Sequence, residues 1–297
     1  MSAISREIIS YIYLALCILI RAMLPVVSKK MLVELDNVQI LFYSTILSSF
    51  VMALILLFEK KITVFKKYSI NDYLIMCFLG IFGAYLFYIL LYQAFALTTA
   101  QEGFILNFTW PIMIVVLSFL ILKETITLRK IIAILISFLG VVVIVTKGNL
   151  FSLKFTSLSG DILALGAAFS FAIFSVLGKR YIFDKTISMF IFSLSGLVFA
   201  TLTLFILSTF KIPSMTVLPW LIYNGVFING LSFLFWLKSV EHGDINLLSN
   251  IAYVTPFISL IYILIFLKEE ILLSSVIGLI IIISGIFVQS YRSKIKS

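Results

Sequence analysis

Long, nearly uninterrupted apolar runs constrain the fold of this chain more than any other feature. A helix needs roughly 20 apolar residues to cross the hydrocarbon core, whereas a strand of a membrane barrel has about 10 residues of alternating polarity. The runs therefore predict an all-α integral membrane protein with ten transmembrane helices. The predicted spans are 8–28, 38–58, 72–96, 103–122, 129–146, 160–182, 187–209, 217–238, 245–267 and 272–291.

Composition excludes a soluble protein of this length. Of the 297 residues, 62% are hydrophobic and 12% are charged, whereas a typical soluble domain is about half apolar and about a quarter charged. The net charge of +9 comes from Lys and Arg clusters between the apolar runs. The positive-inside rule explains these clusters better than nucleic-acid binding does.

The Lys and Arg residues also predict the orientation. A cytoplasmic N-terminus places fifteen of the 22 basic residues inside and six outside, and leaves Arg21 within a span. The sequence therefore predicts a multi-pass protein of the cytoplasmic membrane with both termini in the cytoplasm.

A motif occurs twice in the same register. In each copy a proline precedes the glutamate of a Leu-Lys-Glu triplet at one fixed spacing, and a glycine follows that glutamate at another fixed spacing. An earlier glycine keeps the same offset between the two copies. The equivalent pairs are Pro111 and Pro256, Glu124 and Glu269, Gly140 and Gly285, and Gly80 and Gly225. This repetition predicts two related halves, 1–148 and 159–297, joined by a connecting loop at 149–158.

Each predicted half holds five spans. Because five is odd, equivalent helices run in opposite directions through the membrane, which is the inverted repeat typical of secondary transporters. Two such halves can exchange conformations and so turn an inward-open cavity into an outward-open one.

The repeated Pro and Leu-Lys-Glu motif, with Gly160-Asp161-Ile162-Leu163-Ala164 at the start of the second half, resembles the EamA family of the drug/metabolite transporter superfamily. The resemblance covers about 9–146 and 159–291. It implies ten helices, cytoplasmic termini, a central cavity between the halves, and export or exchange of amino acids or other small metabolites. It implies no cofactor. A monomer and a homodimer are both compatible with the sequence.

Arg21 is the sharpest candidate for substrate binding. It lies past the middle of the first predicted span, where a charge costs at least ~2.5 kcal/mol and usually faces a cavity or a partner. Its planar fork suits a carboxylate or phosphate. The alternative is that its side chain extends to the outer interface.

The other cavity candidates lie around two predicted helix kinks. Pro111 and Pro256 each free a backbone carbonyl four residues earlier, at Asn107 and Ala252, and such carbonyls often line polar cavities. A kink used only for packing is the alternative. Buried amides and aromatic walls with a few polar groups describe a small-molecule pocket, although each aromatic alone could face lipid. The remaining candidates are Tyr85, Asn107, Trp110, Asn229, Trp236, Asn250 and Tyr253.

Three carboxylates are candidates for gating or structural roles. Glu124 and Glu269 end the two repeated motifs, where each can interact with the start of the next helix. Glu102 is predicted at the outer mouth of the fourth span.

The sequence favours transport over two alternatives. It holds no phosphate-binding loop, zinc-ligand spacing or nucleophile elbow, and Cys17 and Cys77 form no metal or disulfide pattern. A membrane enzyme acting on a lipid-linked substrate and a non-transporting scaffold remain the competing hypotheses. The predicted partners are a small-molecule substrate and the lipid bilayer.

Overall fold

The protein is a multi-pass bundle of helices. The computed structural model describes residues 3–97, 106–149, 157–268 and 272–290, and every regular element within these ranges is helical. We number the elements in chain order, counting consecutive helical segments of one predicted span as a single element. They are α1 (Ala3–Arg21 and Leu24–Met31), α2 (Asn37–Phe58), α3 (Ile70–Gly80, Ile81–Leu86 and Phe87–Leu97), α4 (Trp110–Leu122), α5 (Leu128–Val145), α6 (Leu158–Arg180), α7 (Lys185–Leu207), α8 (Leu218–Ile222, Tyr223–Leu231 and Ser232–His242), α9 (Ile245–Ile251, Ala252–Val254 and Thr255–Leu267) and α10 (Leu273–Ser290).

Within the described ranges, eight helices are long and apolar enough to cross a membrane. Two further apolar helices, Trp110–Leu122 and Val276–Gln289, are shorter than 18 residues. Both lie within spans that the sequence predicts.

Side-chain caps explain where several helices begin. The Asp36 carboxylate accepts from the backbone N–H groups of Val38 and Gln39, and the Gln39 side chain accepts from the backbone N–H of Asp36. Asp184 and Asp244 accept in the same way at the first turns of α7 and α9. These carboxylates satisfy donors that a helix start otherwise leaves open.

Helix boundaries recur at the offset that separates Pro111 from Pro256. The last segment of α3 begins and ends at this offset from the last segment of α8. The same offset relates α4 to the last segment of α9, and α5 to α10. The π-helical segments Ile81–Leu86 and Tyr223–Leu231 end at the same offset. Lys123 and Lys268 both take the left-handed conformation, with φ of 56° and 59°. A left-handed residue there ends the helix.

Each repeated proline follows an irregular turn. Before Pro111, the N–H of Thr109 bonds to the carbonyl of Leu106 at 3.2 Å. Before Pro256, residues Ala252–Val254 form a 3-10 turn. Because proline lacks an N–H and clashes with the preceding turn, the α-helical pattern restarts with the proline in its first turn, at Trp110 and at Thr255.

Helices α5 and α10 pack at backbone contact. A Cβ atom on Gly140 would lie 2.6 Å from the carbonyl oxygen of Gly278, so no side chain fits there. Ser137 adds a hydrogen bond of 3.2 Å to the carbonyl of Ile282. Small residues of this kind let membrane helices approach closely.

Helices α2 and α7 meet through the hydroxyls of Ser48 and Ser193, which are 2.7 Å apart. These two residues are also separated by the offset of the repeat. The helices of α1, α3, α6 and α8 surround a centre rich in buried phenylalanine.

Candidate functional site

A large cavity lies among α1, α3, α4, α8 and α9. Its volume is about 620 Å³, within the range of roughly 300–1,000 Å³ that is usual for small-molecule sites. Its walls are mostly apolar, with a few hydroxyl, amide and guanidinium groups. Such a chamber suits a small organic molecule with both apolar and polar parts.

The cavity reaches the end of the bundle opposite the N-terminus. It runs from Leu14, in the middle of α1, to Leu32 and Val33 beyond the end of that helix. Val33 is 84% exposed and Leu32 is 46% exposed. The cavity therefore opens at this end.

Arg21 lies on the cavity wall inside a cage of aromatic rings. Its guanidinium carbon is 4.6 Å from the ring centre of Phe171, 5.0 Å from that of Phe233 and 5.8 Å from that of Phe87. Cation–π contacts of this kind contribute about 0.5–2 kcal/mol each. No carboxylate of the described ranges lies within 4.0 Å of the guanidinium. The cage offers ring faces but no counter-charge.

Asn107 is the amide of the cavity wall. Its side chain is only 7% exposed, and its amide oxygen has no hydrogen-bond partner among the described residues. Buried amide oxygens normally have partners. Less than 1 Å² of this oxygen is accessible, so it is an unpaired acceptor behind the cavity surface rather than one that faces a ligand.

Two tryptophans close the inner part of the cavity. The rings of Trp110 and Trp236 meet edge to face, with centres 5.4 Å apart. The indole N–H of Trp236 donates to the Ser175 hydroxyl at 2.9 Å. Since that donor is occupied, Trp236 offers its ring rather than a hydrogen bond to the cavity.

Four predicted candidates lie outside the walls of this cavity. Tyr85 shares a hydrogen bond of 2.6 Å with Thr203, and Asn250 donates to Gln289 at 2.6 Å. Tyr253 is fully buried against Phe108 and Phe138. Asn229 lines a separate space of about 10 Å³, which has room for one water molecule.

Pro111 and Pro256 are both buried, and neither forms part of the cavity wall. Asn107 and Ala252, the residues whose carbonyls the prolines free, do line it. The carbonyl of Ala252 accepts a bond of 2.6 Å from the Thr255 hydroxyl.

Glu124 lies in a polar cluster at the end of the bundle that holds the N-terminus. Its carboxylate is 3.2 Å from the Lys179 ammonium and accepts a bond of 2.6 Å from the Asn246 amide. Asn246 in turn accepts from the Ser118 hydroxyl at 2.9 Å. The cluster joins the ends of α4 and α6 to the start of α9. Glu102 and Glu269, the other two predicted carboxylates, lie outside the described residues.

A second group of ion pairs closes the same end. The Lys61 ammonium lies 2.6 Å from Glu59 and 2.8 Å from Asp184, and Lys238 lies 3.8 Å from Glu59. Burial acts to raise the pKa of both carboxyls, but hydrogen bonds led by Lys61 outweigh it and leave both pKa values below their ordinary range. Both carboxylates therefore stay charged and paired at neutral pH.

The EamA-like transporter family matches this chain over residues 8–146 and 158–291. The chain belongs to the EamA-like transporter family. Each of the two matched ranges contains one copy of the repeated motif.

Two relatives of this EamA chain are similar to it over most of their length. The uncharacterized transporter YetK of Bacillus subtilis (strain 168) is 31% identical over 256 residues, which are 82% of this chain and 76% of YetK. An uncharacterized transporter of Archaeoglobus fulgidus is 26% identical over 289 residues, which are 95% of this chain and 98% of the relative. Both names point to a transporter rather than an enzyme.

A crystal structure of another protein has the same fold as this EamA chain. The two chains superpose with a TM-score of 0.83 at 16% identity, covering 96% of this chain and 97% of the other. At that identity the likeness concerns the fold alone.

Sequence reasoning missed the aromatic cage of the EamA chain. Phe87, Phe171 and Phe233 come from three different elements, and the chain holds 29 phenylalanines. Nothing in the local sequence separates these three from the others. Lys179, the partner of Glu124, was missed for a related reason, since it reads as one basic residue of a cytoplasmic cluster.

Proposed function

We propose that this EamA-family protein is a secondary transporter, which exports or exchanges a small metabolite across the cytoplasmic membrane by alternating access. The observation that carries the proposal is the cavity of about 620 Å³, open at one end of the bundle. Packed aromatic rings around Trp236, and beyond them the ion pairs at the opposite end, lie between the cavity and the other side. A permeation pathway with one closed end is what alternating access requires in each of its two states.

The proposal includes ten spans arranged as two inverted halves, 1–148 and 159–297. The helix boundaries that recur at one constant offset support this arrangement. The second proposed state opens the closed end by separating Glu124 from Lys179 and Lys61 from Asp184. It closes the present mouth around the second segment of α1.

With both termini in the cytoplasm, the cavity of this state faces the outside. The ion pairs then form the cytoplasmic closure, and their basic partners agree with the positive-inside rule. The proposed mechanism uses a small-molecule substrate, the lipid bilayer and no cofactor or nucleic acid, in a monomer or a homodimer.

Counterflow into proteoliposomes tests the proposal. Purified protein is reconstituted with a mixture of unlabelled metabolites inside, and uptake of labelled candidates is compared with that of empty liposomes. We expect at least one small metabolite to accumulate transiently. If no candidate crosses faster than in protein-free liposomes, the proposal is wrong.

A matched pair of variants links flux to the cavity. Ser28 lines the cavity, whereas Leu19 on the same element is 47% exposed and is absent from the cavity wall. We expect Ser28→Trp to block flux and Leu19→Trp to preserve it. Equal flux through both variants would place the pathway elsewhere.

A further inference from the structure

The charge of the cavity wall limits which molecules it can hold. Among the described residues that line the cavity, Arg21 is the only one that carries a formal charge at neutral pH. The other polar groups are the Asn107 amide, the Cys17 thiol and hydroxyls such as those of Thr255 and Ser259. The described part of the cavity wall therefore carries a net positive charge.

Arg21 lacks a counter-charge among the described residues, although charges within a membrane normally have one. The rings of Phe87, Phe171 and Phe233 stabilise the cation by their quadrupoles but accept no strong hydrogen bonds. A planar carboxylate can accept two parallel bonds from a guanidinium. The cage therefore holds Arg21 ready for an anion.

The remaining walls define the rest of the ligand. Leu14, Leu91, Phe108 and Trp110 supply apolar surface, which stabilises an apolar body by about 25 cal/mol per Å² buried. The amide oxygen of Asn107 is unpaired, but less than 1 Å² of it is accessible, so it offers the ligand no acceptor in this state. An ammonium has three donors, and the described wall offers no carboxylate to pair with it.

We infer that the cargo is an amphipathic organic anion, a carboxylate on an apolar body, and that Arg21 binds its carboxylate. This inference rests on the proposed function, because it names the substrate class of the same cavity. It excludes cations and zwitterions as preferred ligands.

Tryptophan fluorescence of the full chain in lipid nanodiscs tests the inference by binding alone. Trp110 and Trp236 line the cavity, so a ligand there changes their emission. The probes share one phenyl group and differ in charge: 3-phenyllactate is an anion, phenylalanine a zwitterion, phenethylamine a cation and 3-phenylpropane-1,2-diol neutral. We expect 3-phenyllactate to bind at least about tenfold more tightly than each of the others, the effect of one charge-assisted bond.

Variants assign the effect to Arg21. We expect Arg21→Gln to weaken 3-phenyllactate binding about tenfold or more and to leave the neutral diol unchanged. Arg180→Gln removes an exposed arginine near the end of α6 and serves as the control. If Arg21→Gln does not fold, Arg21→Lys keeps the charge but loses the bidentate geometry. Its affinity for 3-phenyllactate should then lie between the wild-type affinity for 3-phenyllactate and the wild-type affinity for the neutral diol.

Each outcome decides the inference. Tighter binding of 3-phenyllactate that depends on Arg21 supports it. Equal or tighter binding of phenethylamine or phenylalanine overturns it, as do the failure of every probe to bind and an affinity that is unchanged in Arg21→Gln. If 3-phenyllactate binds through Arg21 but no candidate shows flux, Arg21 remains an anion-binding residue and the transporter proposal is wrong. If a cation or zwitterion is transported in preference to anions, the transporter proposal stands and the inference is wrong.

Discussion

At the residue scale, charged side chains of this protein differ in the groups that they contact. Arg21 faces aromatic rings and an open cavity, whereas Glu124 is held by an ammonium and an amide. The first arrangement leaves a charge available to a ligand. The second uses a charge to hold three helices together, and removing it weakens only that closure.

Glu124→Gln should loosen the closed end without unfolding the protein. The substitution removes the ion pair with Lys179, and such part-exposed pairs contribute about 0.2–1 kcal/mol. We expect backbone amides of Ile245–Ile251 to exchange with solvent up to about fivefold faster by mass spectrometry. Glu241→Gln, an exposed carboxylate near the end of α8, is the control. Equal exchange in both variants would show that Glu124 does not hold this end.

The pH dependence of stability follows from Glu59 and Asp184. Burial alone would raise their pKa values, but the bonds from Lys61 and its charge leave them lowered. Because the folded state favours the ionised carboxylates, their contribution is complete above the ordinary pKa values of 4.5 and 3.8. It is lost as the pH falls through the lowered folded values. We expect the thermal stability in detergent to fall over this acid range, and Lys61→Met to reduce that fall. An identical pH profile in Lys61→Met would contradict the pairing.

At the element scale, the contact between α5 and α10 depends on glycines, which have no side chain. A methyl group on Gly285 would meet the carbonyl oxygen of Ala133 at 2.6 Å, and one on Gly140 would meet that of Gly278 at the same distance. Backbone atoms cannot rotate away as a flexible side chain can. The two helices must separate if either glycine is replaced.

Gly140→Ala and Gly285→Ala should each destabilise the protein by about 1–3 kcal/mol, the usual cost of an added methyl group in a packed interior. Thermal unfolding in detergent measures the effect. Gly166→Ala is the matched control, because its Cβ would lie 3.4 Å from the Leu90 methyl, an ordinary contact. A loss of stability in Gly166→Ala equal to those of the other two variants would refute the packing argument.

At the scale of the whole molecule, one end is open and the other is held by weak bonds. Part-exposed ion pairs contribute little individually, so these pairs do not by themselves fix the closed end by a large free energy. A transporter needs its two states to differ by only a few kcal/mol, so that a substrate can shift their populations. The weak ion pairs agree with that requirement, and the aromatic rings packed between them and the cavity repack in the proposed second state.

Both chain ends should lie on the cytoplasmic side. An even number of spans returns the chain to the side where it began, and the excess of basic residues selects the cytoplasm. We expect protease-cleavable tags at either terminus to be protected in right-side-out vesicles and cut in inside-out ones. Tags that are cut on opposite sides would contradict both the ten spans and the inverted halves.

The sequence predicted the helical fold and part of the candidate site. Depth within an apolar run was enough to select Arg21, and the position of Pro111 was enough to select Asn107 and Trp110. Tyr85 and Asn229 were chosen by α-helical spacing, but both lie in π-helical segments. The wider turn of a π-helix changes which of its own residues share a face, whereas Trp236, which follows such a segment, does line the cavity. Asn250 and Tyr253 flank or occupy a 3-10 turn, where the same spacing also fails.

The glycine contact between α5 and α10 has a mechanical consequence. These helices belong to different proposed halves, and Gly140 and Gly278 leave their backbones touching with no side chain between them. This contact resists sliding and separation of the two helices, but it allows one helix to tilt about the other. If the halves rotate relative to each other, this helix pair is the axis of rotation, and the largest displacements fall on the helices farthest from it.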